Sequence, residues 1–160
     1  MMVRVGFGYD VHQLAEGREL WLGGVLIPHP VGALGHSDAD VLLHAVCDAL
    51  LGAVALGDIG MHFPDTDARW KGADSKVLLK AVVDLLAERG WQVGNVDATL
   101  VLEKPKILPH VPAMRATMAP LLGVTEDAVS IKATTNERMG FVGRREGICA
   151  HAVALVQRMA

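Results

Sequence analysis

The 160-residue chain has only two cysteines, and its aromatic residues are three phenylalanines, three tryptophans and one tyrosine. Cys47 and Cys149 are far apart, lie in apolar surroundings and lack CxxC spacing. This excludes a disulfide framework and favours two small buried hydrophobic residues over a redox pair. We therefore expect a cytoplasmic protein in a reducing compartment.

Long apolar runs and basic clusters are also missing. No segment reaches about 18 uninterrupted apolar residues, the start of the chain lacks a secretory leader pattern, and the formal net charge is −3. The sequence therefore predicts a soluble protein that binds neither a membrane nor nucleic acid. Its length suits one domain, residues 1–160, that buries roughly 70% of its unfolded surface.

Hydrophobic periodicity predicts alternating strands and helices. Gly23-Gly24 is typical of a hairpin turn, Ser37 of a helix N-cap, and Gly57 and Gly90 of helix ends. The predicted strands are residues 3–11, 20–27 as a hairpin, 93–103, 129–134 and 148–156, and the predicted helices are residues 37–56, 75–89 and 109–122. This order indicates an α+β fold of the split βαβ, ferredoxin-like type, an α/β sandwich with a mixed sheet, an added hairpin strand and helices on one face.

The last predicted strand is apolar on both faces. Residues 148, 150, 152, 154 and 156 form one face, and the other carries His151 as its single polar residue. We expect helices to cover one face of the sheet and neighbouring subunits the other, in an obligate oligomer.

Asp10, His12 and His44 are candidate ligands of a metal ion. Asp10 and His12 share one face of a strand because they are two residues apart. Two imidazoles and one carboxylate suit zinc and leave its fourth position open for a substrate oxygen. A lone helical histidine is more often a packing residue, but the Asp-x-His pair favours the metal site. Asp48, one turn after His44, would accept the free ring N–H and fix the tautomer, unless the pair is only a surface contact.

Three further polar segments each allow two interpretations. In residues 35–40, Ser37 and His36 are a helix cap and a loop residue, or they bind an anion at the helix N-terminus. The glycines and aspartates of the loop 57–67 are either ordinary turn residues, or the aspartates bind hydroxyl groups of a sugar or polyol. In the segment after residue 133, Thr134 and Thr135 are either ordinary strand-end residues or ligands of a phosphate group. In the second interpretation Glu137 would bind a divalent ion and Arg144 would pair with a phosphate or carboxylate.

Five motifs in this order resemble the 2-C-methyl-D-erythritol 2,4-cyclodiphosphate synthase family. They are Gly6-x-Gly8-x-Asp10-x-His12, residues 35–40 (GHSDAD), residues 57–60 (GDIG), residues 62–65 (HFPD), and Thr134-Thr135-x-Glu137 followed by Gly140-Phe141-x-Gly143-Arg144. The resemblance spans nearly the whole chain. It implies intramolecular phosphoryl transfer in the non-mevalonate isoprenoid pathway, which converts 4-diphosphocytidyl-2-C-methyl-D-erythritol 2-phosphate to the 2,4-cyclodiphosphate and CMP.

The resemblance also implies roles for residues. Zinc, or another divalent ion, would bind Asp10, His12 and His44; Mg²⁺ or Mn²⁺ near Glu137 would bridge the substrate diphosphate. His36 and Thr135 would be catalytic and stabilise the transition state. The implied substrate-binding residues are Asp10, His12, His36, Ser37, Asp58, Ile59, Gly60, Phe63, Pro64, Asp65, Thr66, Asp67, Leu102, Glu103, Lys104, Pro105, Lys106, Ile107, Leu108, Thr134, Thr135, Asn136, Glu137, Phe141 and Arg144.

Within that set, Asp58 and Gly60 would hold the ribose, and Phe63 and Asp65 would lie near the methylerythritol. Residues 102–108 would form the cytosine pocket, supplied across a subunit interface. Ile107 stands where the family pattern has a longer or γ-branched side chain, with a small expected effect on base packing.

Members of this family form homotrimers with interfacial active sites, so the resemblance implies the same assembly here. A central channel, lined partly by Phe141 and Arg144, would lie next to His151, where relatives often carry glutamate. Histidine there favours an anion such as an isoprenoid diphosphate. Two alternatives stay open: a zinc-dependent phosphohydrolase and a non-catalytic trimeric metal-binding protein.

Overall fold

A mixed five-stranded sheet forms the centre of the computed structural model, which describes residues 2–160. The strands are β1 (Val3–Glu16), β4 (Val31–Ala33), β5 (Trp91–Val101), β6 (Val129–Thr134) and β7 (Gly147–Arg158). Their order in the sheet is β4-β1-β7-β5-β6, and only β5 and β6 run parallel. With helices on one face of this sheet, the predicted α+β class is confirmed.

Three long helices pack on the sheet. They are α1 (Val41–Ala53), α3 (Ser75–Glu88) and α4 (Val111–Leu122). Short helices α2 (Ile59–His62) and α5 (Gly140–Gly143) and two 3₁₀ turns (Ala68–Trp70 and Glu126–Ala128) lie outside the predicted helices and strands. A third 3₁₀ turn (Leu108–His110) overlaps the start of the helix predicted over residues 109–122, and α4 itself begins at Val111. Among residues 2–160, no helix is long and apolar enough to cross a membrane.

The predicted hairpin forms, but it does not extend the central sheet. β2 (Leu20–Leu22) and β3 (Val25–Ile27) pair only with each other, around Gly23 and Gly24 at φ of 60° and 75°. The carboxylate of Asp40 accepts both glycine N–H groups, at 3.0 and 2.7 Å, and so ties this turn to α1. The extra edge strand is β4, which was not predicted.

The predicted N-cap of α1 is wrong. The helix begins at Val41, and Asp40 caps it by accepting the Leu43 N–H at 3.0 Å. A carboxylate of the protein itself therefore lies where an external anion was expected at this helix end. Ser37 instead lies in the preceding loop, beside His44.

Two glycines of β1 allow α1 to lie directly on the strand. A Cβ at Gly6 would come within 1.9 Å of the Ala49 carbonyl oxygen, and one at Gly8 within 1.8 Å of the Ala45 carbonyl oxygen. Because these contacts are with backbone, no side-chain adjustment relieves them. The glycine motif thus sets the distance between β1 and α1.

The two faces of the sheet differ in burial. On β7 the predicted inner face is buried, and both cysteines of the chain are buried as predicted. The opposite face is uncovered in the single chain and is apolar along β1. Its exposed side chains on β1 are Val3, Val5, Phe7, Tyr9 and Val11, with Phe7 62% exposed.

Candidate active site

Asp10, His12 and His44 converge as predicted. The Oδ2 atom of Asp10 lies 2.9 Å from Nε2 of His12 and 3.0 Å from Nδ1 of His44, and the two ring nitrogens are 3.3 Å apart. Tetrahedral zinc with bonds of about 2.0–2.1 Å separates its ligand atoms by about 3.3 Å. The three residues therefore fit a zinc ion with little adjustment. They are the only metal-binding group of this kind among the described residues.

The two elements that carry this triad explain its geometry. Below the triad, Gly6 and Gly8 bring β1 against successive turns of α1. Asp10 and His12 continue the same strand face, and His44 lies in the first turn of the helix. The sequence spacing therefore places one carboxylate and two imidazoles at one end of the sheet.

His12 is oriented by the backbone. Its Nδ1 lies 2.8 Å from the carbonyl oxygen of Leu34, an acceptor, so Nδ1 carries the proton and Nε2 faces the site. Gly35 is packed against the same ring, because a Cβ there would approach the His12 Cε1 to 3.1 Å.

The partner predicted for His44 is wrong. Asp48 accepts the backbone N–H of Ile59 at 2.8 Å and does not contact the ring. Instead, Nε2 of His44 lies 2.8 Å from the hydroxyl of Ser75 and 3.2 Å from that of Ser37. Ser75 comes from the first residue of α3, which no local spacing in the sequence relates to His44.

Electrostatics favour a charged Asp10. Burial alone would raise its pKa, but hydrogen bonds and charge interactions with His12 and His44 outweigh burial and lower the pKa to about 2. For His12, burial opposes the charged ring, whereas the hydrogen bond and charge of Asp10 raise its pKa above the usual value. The charged carboxylate is the anionic ligand that a divalent cation favours, and the two ring nitrogens that face it would have to be unprotonated when a cation is bound.

A second feature is a cavity of about 730 Å³ beside the ends of β5 and β6. All of residues 102–108 line it, together with Thr134, Thr135 and Glu137, so two predicted binding segments meet there. Its cationic side chains outnumber its two carboxylates although the whole chain carries a formal charge of −3. These cations are Lys104, Lys106, Lys132, Arg138 and Arg145. The cavity therefore suits an anionic ligand.

Glu103 joins the two segments of this cavity. Its Oε1 accepts the N–H of Asn136 at 2.9 Å and that of Arg138 at 3.3 Å. The two residues after Asn136, Glu137 and Arg138, have φ of 51° and 63°. This left-handed conformation is unfavourable for residues with a Cβ. Glu103 thus holds a strained turn in place and directs its own carboxylate to the backbone.

The apolar side chains of the segment 102–108 lie partly in the core and partly at the surface. Leu102 and Ile107 are buried in the core, whereas Leu108 is 80% exposed. The branched Ile107 side chain packs inward.

Glu137 does not join the metal triad within one chain. Asp10 pairs with Ala150, Ala150 with Leu100, and Leu100 with Ala133, so these residues lie in one row across four strands. Three strand spacings of about 4.8 Å place β6 about 14 Å from β1 along that row. The triad and the threonine segment are therefore at the same level of the sheet but well separated.

The loop 57–67 lies on the α1 side and is held at several points. Asp58 caps α2, Asp67 forms an ion pair with Arg69 at 2.6 Å, and Phe63 packs edge-on against Trp70 at 5.0 Å. Asp65, Thr66 and His36 are exposed, and Pro64 is half-buried. The Asp58 cap and the hydrogen bond from the Ile59 N–H to Asp48 hold this loop beside α1.

The residues predicted for the channel lie near the exposed sheet face. His151 is half-buried, with its ring centroid 5.1 Å from Tyr9 and 6.0 Å from Phe7. Arg144 is exposed and pairs with Glu146 at 2.8 Å, and Phe141 lies over Gly147.

Comparison with known proteins identifies the family. The YgbB family model matches residues 3–157. The 2-C-methyl-D-erythritol 2,4-cyclodiphosphate synthase of Dechloromonas aromatica (strain RCB) is 67% identical over 99% of both chains. The solved bifunctional IspDF from Campylobacter jejuni is similar with a TM-score of 0.95 and 40% identity, over 99% of this chain and 43% of that one.

A further solved structure, a 2C-methyl-D-erythritol-2,4-cyclodiphosphate synthase in its CDP-bound form, has a TM-score of 0.89 and 42% identity, covering 96% of this chain and all of the other. The match extends over the triad, the loop 57–67 and both segments of the cavity. The chain therefore belongs to the YgbB family, together with these 2-C-methyl-D-erythritol 2,4-cyclodiphosphate synthases.

Proposed function

We propose that this protein is a lyase that cyclises 4-diphosphocytidyl-2-C-methyl-D-erythritol 2-phosphate to 2-C-methyl-D-erythritol 2,4-cyclodiphosphate, with release of CMP. The observation that carries this proposal is the triad of Asp10, His12 and His44, whose donor atoms lie within 3.3 Å of their neighbours in a chain that is 67% identical to a named cyclodiphosphate synthase.

The reaction is an intramolecular displacement at phosphorus. An oxygen of the 2-phosphate attacks the diphosphate phosphorus nearer the methylerythritol, a new P–O bond forms, and the P–O bond to CMP breaks. The obstacle is repulsion between anions brought together. The chain has to bind both phosphoryl groups, align them and exclude water.

Asp10, His12 and His44 would hold zinc, and Glu137 would hold Mg²⁺ or Mn²⁺. Bound there, the two cations would supply Lewis acidity and a template for the two phosphoryl groups. Two observations support these assignments. The triad matches the ligand separations of tetrahedral zinc, and Glu137 has an exposed carboxylate 3.5 Å from the Thr135 hydroxyl, a setting that suits a hard cation.

The remaining residues would bind and orient the substrate. Thr134 and Thr135 would donate hydroxyl hydrogen bonds to the diphosphate, with Thr135 and His36 stabilising the charge that develops in the transition state. Asp58, Ile59 and Gly60 would hold the ribose, and residues 63–67 the methylerythritol. The cationic cavity of residues 102–108 supports a cytidine nucleotide site there, since it adjoins both threonines.

A homotrimer with interfacial sites would bring these parts together. About 14 Å separates the triad from the threonine segment in one chain, whereas cyclisation requires both to act on one small molecule. The exposed apolar face of β1 supports association through that face, since exposed apolar patches of this kind mark protein interfaces. The triad of one protomer would then face the cavity of another.

The same assembly would surround a channel lined by Phe141 and Arg144, next to His151. An isoprenoid diphosphate is the ligand we propose there, with its anionic group near His151 and Arg144. The Arg144–Glu146 ion pair is exposed, so an anionic ligand can compete for the guanidinium at small cost. Equal binding of geranyl diphosphate by the wild type and His151→Glu, measured by calorimetry, would contradict this assignment.

The proposed reaction is tested by following CMP and the cyclic diphosphate together. The purified protein should form both in equal amounts, a chelator should abolish both, and zinc with Mg²⁺ should restore them. CMP formation without cyclic diphosphate would favour a phosphohydrolase. Zinc binding without release of CMP would favour a non-catalytic metal-binding protein.

A further inference from the structure

We propose that Asp38 and Ser75 are positioning residues that fix the ring proton of His44 on Nε2 and so keep Nδ1 available as a metal ligand. This inference rests on the proposed function in one respect, that the triad holds a divalent cation. It adds two residues, from the loop before α1 and from the start of α3, that do not touch the cation or the substrate.

The direction of the hydrogen bonds follows from the partners of Asp38. Its carboxylate accepts the backbone N–H of Ser75 at 2.9 Å and that of Asp40 at 3.1 Å, so it is an acceptor in this site. The Ser75 hydroxyl also donates to it. A hydroxyl has one proton, which leaves Ser75 only lone pairs for its other neighbour.

That neighbour is Nε2 of His44, 2.8 Å from the Ser75 hydroxyl oxygen. Because Ser75 presents a lone pair, Nε2 must donate. A neutral imidazole has one ring proton, so Nδ1 is left unprotonated and faces Asp10 and His12 at 3.0 and 3.3 Å. The chain of hydrogen bonds thus selects the tautomer that binds a metal.

Burial makes this selection effective. Ser75 has no exposed surface and His44 is 6% exposed, so water does not readily replace the hydroxyl. Ser37 provides a weaker second acceptor at 3.2 Å and receives the Ala39 N–H. For His12 the position of the ring proton is fixed by the backbone carbonyl of Leu34, which no substitution removes. The side chains that fix the ring proton of His44 can be substituted, so the inference is tested there.

The decisive variant is Asp38→Asn. The Asp38 carboxylate accepts from three donors, the N–H groups of Ser75 and Asp40 and the Ser75 hydroxyl. An asparagine side chain has one acceptor oxygen and one NH₂ donor, so it cannot satisfy all three. If its NH₂ faces Ser75, the hydroxyl donates to Nε2 instead, and the ring proton moves to Nδ1. Loss of such an outer hydrogen bond weakens metal binding by about 10–100-fold. We expect zinc affinity, measured by competition with a chelator, to fall by that factor.

A second set of variants removes the hydroxyls. Ser75→Ala should weaken zinc binding less than the double variant Ser37→Ala/Ser75→Ala, because Ser37 can still accept from Nε2. The matched control is Asp48→Asn, a carboxylate one turn beyond His44 that contacts Ile59 and not the ring; its zinc affinity should equal the wild-type value. Circular dichroism checks that each variant is folded.

A direct readout is the imidazole N–H signal of His44 in the zinc-loaded, ¹⁵N-labelled protein. In the wild type it should be assigned to Nε2 and exchange slowly, and in the double serine variant it should exchange fast. Wild-type zinc affinity in both Asp38→Asn and the double serine variant would overturn the inference. A wild-type protein that binds no zinc at the triad would instead contradict the proposed function.

Discussion

Nε2 of His12 and Nδ1 of His44 lie 3.3 Å apart although 32 residues separate them in the chain. Two glycines make this approach possible. Gly6 and Gly8 bring β1 so close to α1 that any Cβ would overlap a helix carbonyl. Strand and helix then meet at the triad, where one element contributes two ligands and the other contributes the third.

The close packing of β1 on α1 is tested by Gly8→Ala. The added methyl would overlap the backbone of Ala45, so we expect a loss of at least about 1–3 kcal/mol in the free energy of unfolding, with weaker zinc binding. The control is Gly52→Ala in α1, where the nearest atom to a new Cβ is 3.8 Å away. That change should stabilise by up to about 1 kcal/mol. Equal denaturation midpoints for the two variants would contradict the packing argument.

Removal of a ligand should separate metal binding from folding. His44→Ala should lose stoichiometric zinc and turnover while keeping the wild-type circular dichroism spectrum, because the helix and its Asp40 cap are retained. Metal content by mass spectrometry and product formation are the measurements. His29→Ala, outside the triad, should keep both. Full activity of His44→Ala without bound zinc would refute the metal assignment.

Glu103 should control nucleotide binding through the backbone of the turn that it holds. In Glu103→Ala the N–H groups of Asn136 and Arg138 lose their acceptor, each net hydrogen bond being worth about 1 kcal/mol, so CDP affinity measured by calorimetry should fall by about tenfold. Glu103→Gln retains an acceptor oxygen and should lose less. Zinc affinity should be unchanged in both. Wild-type CDP binding by Glu103→Ala would show that the turn does not need this contact.

Association through the open sheet face predicts that a charge there prevents assembly. Phe7→Glu puts a carboxylate on a side chain that is 62% exposed in the single chain, and burial of that charge between subunits would be unfavourable. Light scattering should show monomers for Phe7→Glu and trimers for the wild type. Val77→Glu, at an exposed position of α3 on the other side of the molecule, should remain trimeric. A trimeric Phe7→Glu would exclude this face as the interface.

Much of the fold and half of the site were predictable, because the signals are local. Period-2 spacing placed Asp10 and His12 on one strand face, and the bounds of β6 agree with the prediction. The helix α3 ends at Glu88, one residue before the predicted end, and Gly90 follows it with a φ of 74°. On β7 the even-numbered residues 148–156 are buried as their alternation indicated, whereas Val153 on the other face is exposed.

The features that were missed depend on contacts between distant segments. Both Ser37 and Asp40 are good caps by residue type, and only the folded hairpin turn, whose two N–H groups need an acceptor, favours Asp40. In the same way, Ser75 reaches His44 from another helix, and β4 is a strand only because β1 offers it an edge. The separation of Glu137 from the triad follows from strand order, which spacing does not encode.

The central claim is that this site transfers a phosphoryl group within the substrate and activates no water. The most direct test is one turnover experiment in ¹⁸O-labelled water with mass spectrometry of both products. Our account predicts cyclic diphosphate and CMP that both lack the label. Incorporation of ¹⁸O into either product during turnover would contradict it and identify a hydrolase.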